Sequence, residues 1–170
     1  KRPRGASTIT QQVAKNFLLS NELSLERKIK EAILAFRIEK AFSKNRILEL
    51  YLNEIYLGMG SYGVAAAALN YFDKSLDELT VEEVAYLAAL PKAPNNYHPV
   101  RRKSAAKARR NWVIKKMHEN GFISKTTMEV AQSMELKTKP RSKTEFVDAK
   151  YFVEDVRRKL ISKFGSTRLY

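Results

Sequence analysis

Most of this sequence has the periodicity of α-helices, and almost none of it alternates with the period of a β-strand. Apolar residues recur at steps of three and four, for example in residues 25–42 and 151–164. Helix signals accompany this pattern: residues 80–83 read T-V-E-E, a capping box, and Pro91 ends the segment that follows. The sequence therefore predicts a mainly α fold of about six to eight helices, with little or no sheet.

The segment 25–42 is predicted to be a helix with two distinct stripes. One stripe is apolar and is expected to face the core; it contains Leu25, Ile29, Ala32, Ile33 and Phe36. The other stripe begins with charges and continues with apolar residues: Arg27, Glu31, Leu34 and Ile38. Because the charges continue an apolar stripe, we expect them at the lip of a cleft.

Composition limits the possible chemistry and partners. A chain of 170 residues can bury the core of one compact domain, and the lack of cysteine excludes thiol catalysis, thiolate metal sites and disulfides. A formal net charge of +14 favours an anionic partner: nucleic acid, anionic lipid or a phosphorylated substrate. There is no secretory signal and no apolar run of membrane-spanning length. The chain starts with K-R-P-R, and we expect it to belong to a longer protein that holds any targeting segments.

Two polar groups near the start of the chain could form a site. Residues 5–12 read G-A-S-T-I-T-Q-Q, a glycine followed mainly by hydroxyl and amide side chains. Residues 27–31 read R-K-I-K-E, in which Arg27 and Glu31 have the spacing of a helical ion pair. The ordinary interpretation is a polar helix start and a surface salt bridge worth about 0.3–0.5 kcal/mol. The functional one is a set of donors and a clamp for a sugar pyrophosphate, and spacing alone leaves both open.

A polar line crosses the predicted helix 44–57, which is otherwise largely apolar. Its members follow one another at steps of three and four: Arg46, Glu49, Asn53 and Tyr56. Such a line must form internal hydrogen bonds or face a site, and we favour an internal network. Among the carboxylates, Glu31 and Glu49 stand out because both lie on stripes with apolar neighbours.

Three further features are not assigned to the predicted site. Residues 58–63 read G-M-G-S-Y-G, but a predicted helix precedes them, so we expect a helix–helix turn rather than a dinucleotide site. His98 and His118 have no partner at metal-ligand spacing. Residues 101–120 form a strongly basic predicted helix, ended by Gly121, which keeps a nucleic-acid-binding module open as an alternative.

Several motifs together resemble those of one enzyme family. Residues 5–16 contain G-A-S-T-I-T-Q-Q followed by K-N, residues 27–31 fit R-K-x-x-E, and residues 44–58 fit K-x-x-I-L-E-x-Y-L-N followed by glycine. Later blocks around Gly63 and residues 85–94 are similar too. The chain resembles the peptidoglycan glycosyltransferases, which are the transglycosylase domains of class A penicillin-binding proteins and their monofunctional relatives. The resemblance covers roughly residues 1–125 in order and spacing.

This resemblance implies a lysozyme-like, two-lobed helical fold with a cleft between the lobes. It implies polymerisation of lipid II into glycan strands by an inverting transfer, in which an acceptor hydroxyl attacks the anomeric carbon of a lipid-pyrophosphate donor. The family's general base is a glutamate that precedes the glycine-serine-threonine block, so we expect it upstream of Lys1. Glu31 matches the family's second glutamate, which stabilises the pyrophosphate directly or through a divalent ion such as Mg²⁺ or Mn²⁺.

The resemblance also supplies a set of site residues. Glu31 is expected to have a catalytic role and is the one candidate metal ligand. The substrate-binding residues carried over from the motifs are Gly5, Ser7, Thr8, Gln11, Gln12, Lys15, Asn16, Arg27, Lys28, Glu49, Tyr51 and Asn53. Apart from the divalent ion, no cofactor is implied.

A larger protein around this chain is implied as well. Residues 1–136 are expected to form the glycosyltransferase domain without its first catalytic motif, and residues 137–170 to lead towards a transpeptidase domain. Residues 16–25 take the position of the family's membrane-facing lobe and are expected to be mobile or lipid-associated. The protein is expected at the outer face of the bacterial cytoplasmic membrane, with a transmembrane anchor upstream. The expected partners are lipid II, the growing glycan chain and the anionic membrane surface rather than nucleic acid. A lysozyme-like glycan hydrolase and a basic nucleic-acid-binding module are the alternatives.

Overall fold

The computed structural model describes residues 7–18, 25–139 and 159. Within these residues the regular structure is helical, apart from an isolated antiparallel bridge between Tyr56 and Tyr62. The α-helices are α1 (Ile9–Leu18), α2 (Leu25–Ala41), α3 (Lys44–Glu54), α4 (Val64–Phe72), α5 (Val81–Ala89), α6 (Lys103–Glu119) and α7 (Lys125–Ser133). Single turns of 3₁₀-helix occupy Leu76–Glu78, Leu90–Lys92 and Pro94–Tyr97. The predicted mainly α fold is confirmed.

The chain divides into two compact units, Lys1–Pro140 and Arg141–Tyr170, and the helices described here belong to the first. No helix in the described part of the chain is long and apolar enough to cross a membrane. The predicted boundary between residues 136 and 137 stays a prediction. The predicted helix 151–164 lies outside the described residues, apart from residue 159.

The sequence signals for helix ends act as expected. The Ser43 hydroxyl accepts a hydrogen bond from the Arg46 N–H at 3.3 Å, so it caps α3. The Thr80 N–H donates to the Glu83 carboxylate at 2.9 Å, which is one half of the predicted capping box of α5. Past the end of α6, Gly121 has a φ of +77°, the left-handed conformation that glycine adopts most readily at this position.

The main core lies between α4, α5 and the segments that flank them, and aromatic rings fill its centre. The Tyr86 ring packs edge-on against the rings of Tyr71 and Phe72, at centroid distances of 5.7 and 6.1 Å. Both buried hydroxyls have partners: that of Tyr71 donates to the Leu57 carbonyl at 2.9 Å and that of Tyr86 to the Tyr97 carbonyl at 2.8 Å. Burial raises the pKa of Tyr71 to about 12, so this donor keeps its proton at physiological pH.

The glycine-rich segment 58–63 joins α3 to α4, so the predicted helix–helix turn is confirmed. The Gly63 N–H donates to the Ile55 carbonyl at 2.9 Å, and the Gly63 φ is +79°. A Cβ at this position would lie 2.3 Å from the Asn53 carbonyl oxygen, so only glycine fits. The turn therefore brings the end of α3 and the start of α4 into direct backbone contact.

One cation of the basic helix α6 belongs to the core. Arg110 is fully buried, and its guanidinium donates to the Met134 carbonyl at 2.8 Å and the Gln132 carbonyl at 3.3 Å. Its Nε and Nη2 also donate to the Asn111 side chain, and burial lowers the pKa of Arg110. This residue ties α6 to the chain around the end of α7, which is a structural role rather than contact with an anionic partner.

The prediction for the faces of α2 is wrong. The apolar stripe that was expected in the core is exposed: Leu25 is 83% exposed and Phe36 is 60% exposed. The opposite stripe is buried instead, with Arg27, Glu31 and Ala35 as its buried members. The reason is tertiary: α1 and α3 pack against α2 on the side of its charges.

Candidate active site

Three of the predicted site residues meet where α1 and α2 pack together. The Lys28 ammonium donates to both carboxylate oxygens of Glu31, at 2.9 and 3.0 Å. The Ser7 hydroxyl donates to Glu31 Oε1 at 3.3 Å and accepts from Lys28 Nζ at 3.2 Å. Residues more than twenty positions apart in the sequence thus form one network, which we call the Ser7–Lys28–Glu31 cluster.

The cluster is buried at its carboxylate and open at its ammonium. The Glu31 side chain is 2% exposed, whereas that of Lys28 is 51% exposed. A buried carboxylate is costly unless it is paired, and the short contacts to Lys28 supply that pairing. The half-exposed Lys28 ammonium can therefore face an anion in solvent, while Glu31 fixes the position of the ammonium from the buried side.

Two further polar residues of α1 and α2 are buried. Arg27, one residue before Lys28, is 7% exposed, and Thr10 on the first turn of α1 is also 7% exposed. Thr10 shares the buried face of α1 with Val13 and Ala14. The sequence analysis counted Thr10 only among the polar side chains of residues 5–12, although its spacing of three and four to these apolar residues indicated burial.

Thr8 and Gln11 cap the N-terminus of α1. The Thr8 N–H donates to the Gln11 side-chain oxygen at 2.9 Å, and the Gln11 N–H donates to the Thr8 hydroxyl at 3.2 Å. This reciprocal pair is a capping box with glutamine in the third helical position. It fixes the N-terminal end of α1, with its free N–H groups, beside Ser7. The ordinary interpretation of these two residues is therefore observed, and a substrate contact stays a prediction.

The polar line on α3 does not form the internal network that was favoured. Glu49 is exposed and pairs with Arg46 at 2.7 Å, and Arg46 is exposed as well. Asn53 is also exposed, and Tyr56 is exposed beyond the end of α3, where its ring packs against that of Tyr62. Tyr51 is half-buried, and this burial raises its pKa. The substrate-binding roles of Glu49, Tyr51 and Asn53 stay predictions.

The remaining predicted residues lie on or before α1. Gly5 is outside the described residues. Gln12 is half-buried, whereas Lys15 and Asn16 are exposed near the end of α1. Of the segment 16–25 that was expected to contact lipid, residues 19–24 are also outside the described part of the chain.

The donor set around Glu31 does not form a metal site by itself. The described residues contain no group of three or more histidine, cysteine or acidic side chains that could hold a metal ion. Lys28 already contacts both oxygens of Glu31 and supplies the positive charge that a metal would bring. His98 instead accepts the N–H groups of Val100 and Arg101, as expected for a structural histidine. The divalent cation stays a prediction.

The motif pattern and this geometry can be compared with known families. A family model described as Transglycosylase matches residues 1–118, which is more than half of the chain. The chain belongs to this family. The family predicted from the sequence motifs is therefore confirmed, and the buried Glu31 with its lysine is part of a transglycosylase fold.

Curated relatives agree with this assignment. The chain is 53% identical over 166 residues to penicillin-binding protein 1A of Rickettsia prowazekii, an alignment that covers 98% of this chain and 21% of the relative. It is 44% identical over 164 residues to penicillin-binding protein 1A of Escherichia coli, covering 96% of this chain and 19% of the relative. This transglycosylase chain thus spans about a fifth of the length of the relatives it matches.

A solved structure has the same fold. The crystal structure of penicillin-binding protein 1A from Haemophilus influenzae matches with a TM-score of 0.56 and 35% sequence identity. The match covers 93% of this chain and 20% of the solved chain. The helical arrangement described above is therefore similar to part of that larger protein.

Proposed function

We propose that this transglycosylase chain takes part in polymerising lipid II into peptidoglycan glycan strands. The observation that carries the proposal is the Ser7–Lys28–Glu31 cluster, in which a half-exposed ammonium is fixed by a buried carboxylate. A donor sugar linked through pyrophosphate needs a positive group at the leaving oxygen, and a fixed cation is worth more there than a mobile one. The net charge of +14 further favours an anionic substrate at an anionic membrane surface.

In this reaction an acceptor hydroxyl attacks the anomeric carbon of the donor from the face opposite the pyrophosphate. The new C–O bond forms as the bond to the pyrophosphate breaks, and the pyrophosphate leaves with the electron pair of that bond. Lys28 gives up its hydrogen bond to Ser7 and donates to the departing oxygens instead, while the N-terminal end of α1 offers further N–H groups nearby. The configuration at the anomeric carbon is inverted.

Glu31 serves in this scheme as the residue that positions the lysine. Both of its oxygens accept from Lys28, and this suits the carboxylate to fixing the ammonium rather than to taking a proton. The hydroxyl proton needs a separate base, which we place on the segment predicted to precede Lys1. A divalent ion on the pyrophosphate would add to the same charge neutralisation.

The wider setting is proposed from the relatives. Two of them are named penicillin-binding protein 1A and are about five times as long as this chain. We propose that this chain is likewise linked to a transpeptidase domain and is anchored at the outer face of the cytoplasmic membrane. The growing glycan chain is then its second substrate.

The test is a polymerisation assay on a full-length protein that contains this chain, with lipid II as donor. Replacing Lys28 with alanine is expected to lower kcat by about 100-fold, because the fixed cation at the leaving group is lost. Lys28→Arg is expected to recover part of the rate. Lys115, on α6, is a matched exposed lysine, and Lys115→Ala should leave the rate unchanged. Wild-type polymerisation by Lys28→Ala would contradict the proposal.

A further inference from the structure

Helix α6 carries a regular stripe of side chains on a side that its buried residues do not share. The members of this stripe follow one another at steps of three and four and begin just before the helix: Arg102, Ala105, Arg109, Trp112 and Lys116. All of them are exposed except Arg109, which is half-buried. We call this set the α6 stripe. Because α6 packs on α5 and α7 through other side chains, the described part of the chain leaves most of the stripe uncovered.

An exposed tryptophan ring on the stripe lies between two cations. The Arg109 guanidinium lies 4.1 Å from the centroid of the Trp112 ring, and the Lys116 ammonium lies 5.8 Å from it. Stacking on the ring orients the planar guanidinium, so that less freedom is lost when it binds a carboxylate. Tryptophan and arginine are also among the residues most enriched at the energetically important positions of protein interfaces. Trp112 is 48% exposed, and its ring is therefore available to a partner.

The cations of the stripe repeat every seven residues, at Arg102, Arg109 and Lys116. Seven residues of an α-helix span about 10.5 Å. Among the described residues neither arginine forms a salt bridge, whereas Lys116 pairs with Glu119, which is the next position of the stripe. Between the cations stand only the Ala105 methyl group and the indole ring. Such a surface fits a second helix that lies along α6 and has carboxylates at the same interval.

Charge and period together restrict the occupant of the stripe. A second copy of the stripe would oppose cation to cation. A bilayer has no repeat along its surface, and nucleic acid has a phosphate about every 3.4 Å along each strand, so neither needs an interval of seven residues. A helix with carboxylates seven residues apart matches both the sign of the charge and the interval.

We propose that the α6 stripe is the docking surface for an acidic helix of a separate protein. The carboxylates of that helix pair with the cations of the stripe, and its small side chains lie against the Trp112 ring and the Ala105 methyl group. Three cations, one ring and one methyl group form a polar surface, which suits proteins that associate reversibly better than a permanent contact. The stripe shares no residue with the Ser7–Lys28–Glu31 cluster, so the docking does not depend on the proposed reaction.

Photo-crosslinking of the full-length protein in its native cells tests this proposal without any measurement of activity. Ala105 is replaced with p-benzoylphenylalanine, and the crosslinked peptides are sequenced by mass spectrometry. The control is the same replacement at Ala65 on α4, which is also an exposed helical alanine. The proposal predicts a crosslink from position 105 to a peptide of a different protein that carries acidic residues seven positions apart, and none to that peptide from position 65.

An exchange of charges then tests whether the stripe itself makes the contact. Arg109→Glu should lower the yield of the crosslink by about 10-fold, because it places like charges opposite each other. Replacing the facing acid of the identified peptide with lysine should restore the yield in the Arg109→Glu variant. Lys125 on α7 is the control position, since its side chain is 75% exposed and lies off the stripe, and Lys125→Glu should leave the yield unchanged.

Other products from position 105 would overturn the proposal. These products are adducts of lipid or nucleic acid alone, crosslinks within the same polypeptide, crosslinks between two copies, a peptide without spaced acids, or no adduct. An unchanged yield for Arg109→Glu, or a yield that the reversed acid does not restore, would also contradict it.

Discussion

Helices α2 and α6 have the same length of 17 residues and both are rich in cations, yet their charges serve different purposes. On α6, Arg110 is buried against backbone carbonyls, and Lys115 and Lys116 pair with Glu119 at the surface. On α2, Lys28 and Glu31 converge with the hydroxyl of Ser7, which lies just before α1. The number of charges therefore does not identify a site. A catalytic site is indicated instead where polar groups from separate segments converge around an accessible cation.

The strongest test of this difference is to remove the buried carboxylate of α2. Glu31→Gln keeps the shape of the side chain but leaves Lys28 without its counter-charge, so the ammonium is no longer fixed. We expect a loss of about 100-fold or more in kcat for lipid II polymerisation by the full-length protein, with an unchanged circular dichroism spectrum. A near wild-type rate would show that Glu31 has no part in the reaction.

On α6, removal of the buried cation should affect stability rather than catalysis. Arg110→Leu removes the guanidinium that donates to the Met134 carbonyl and leaves the Gln132 carbonyl only the 3.5 Å contact from the Asn111 amide, and we expect a loss of about 2–3 kcal/mol in the free energy of unfolding. Denaturant unfolding of the full-length protein checks this. Under conditions where the variant is folded, its kcat should match that of the wild type. A fall in kcat without a loss of stability would contradict a purely structural role for Arg110.

Ser7→Ala removes the hydroxyl from the cluster and leaves the contacts between Lys28 and Glu31 in place. The hydroxyl donates to Glu31 and accepts from Lys28 over 3.3 and 3.2 Å, which are long distances for hydrogen bonds. We expect a loss of roughly 5–10-fold in kcat/KM, smaller than that for Glu31→Gln. A loss as large as that of Glu31→Gln would mean that the hydroxyl itself contacts the reacting atoms.

The smallest effect is expected for the surface pairs of α6. The Lys116 ammonium lowers the pKa of Glu119 below its ordinary 4.5. A carboxyl with a depressed pKa contributes stability above its unfolded pKa and loses it as the pH falls through the folded value. Since Glu119 is at the surface, Glu119→Gln should leave Tm unchanged at pH 7. Carboxyl chemical shifts should place the Glu119 midpoint below 4.5 in the wild type and higher in Lys116→Ala; equal midpoints would contradict the pairing.

Much of the fold could be read from the sequence because its signals are local. The caps at Ser43 and Thr80 and the glycine after α6 specify where helices begin and end. The family motifs likewise selected Ser7, Lys28 and Glu31, which the structure brings together. The motifs identify these residues, but the contact of Ser7 with Lys28 and Glu31 depends on the packing of α1 against α2.

The errors concern tertiary structure. Periodicity shows that α2 has an apolar stripe, but it cannot show which neighbour covers that stripe, and the described helices cover the opposite one. In the same way, the spacing of Arg46 and Glu49 fits both a buried network and the exposed ion pair that is observed. Thr8 and Gln11 cap α1, as their separation of three residues allows, and their selection as substrate ligands stays a prediction.

The close contact of Gly63 with the Asn53 carbonyl has a consequence for motion in this molecule. Since their main chains touch at this point, α3 and α4 cannot slide past one another without distorting the turn. Ser7 and Glu31, in contrast, meet through side-chain hydrogen bonds, which break and re-form readily. If the cluster opens and closes during catalysis, we expect the movement to separate Ser7 from Glu31 between α1 and α2. Helices α3 and α4 should keep their positions relative to each other.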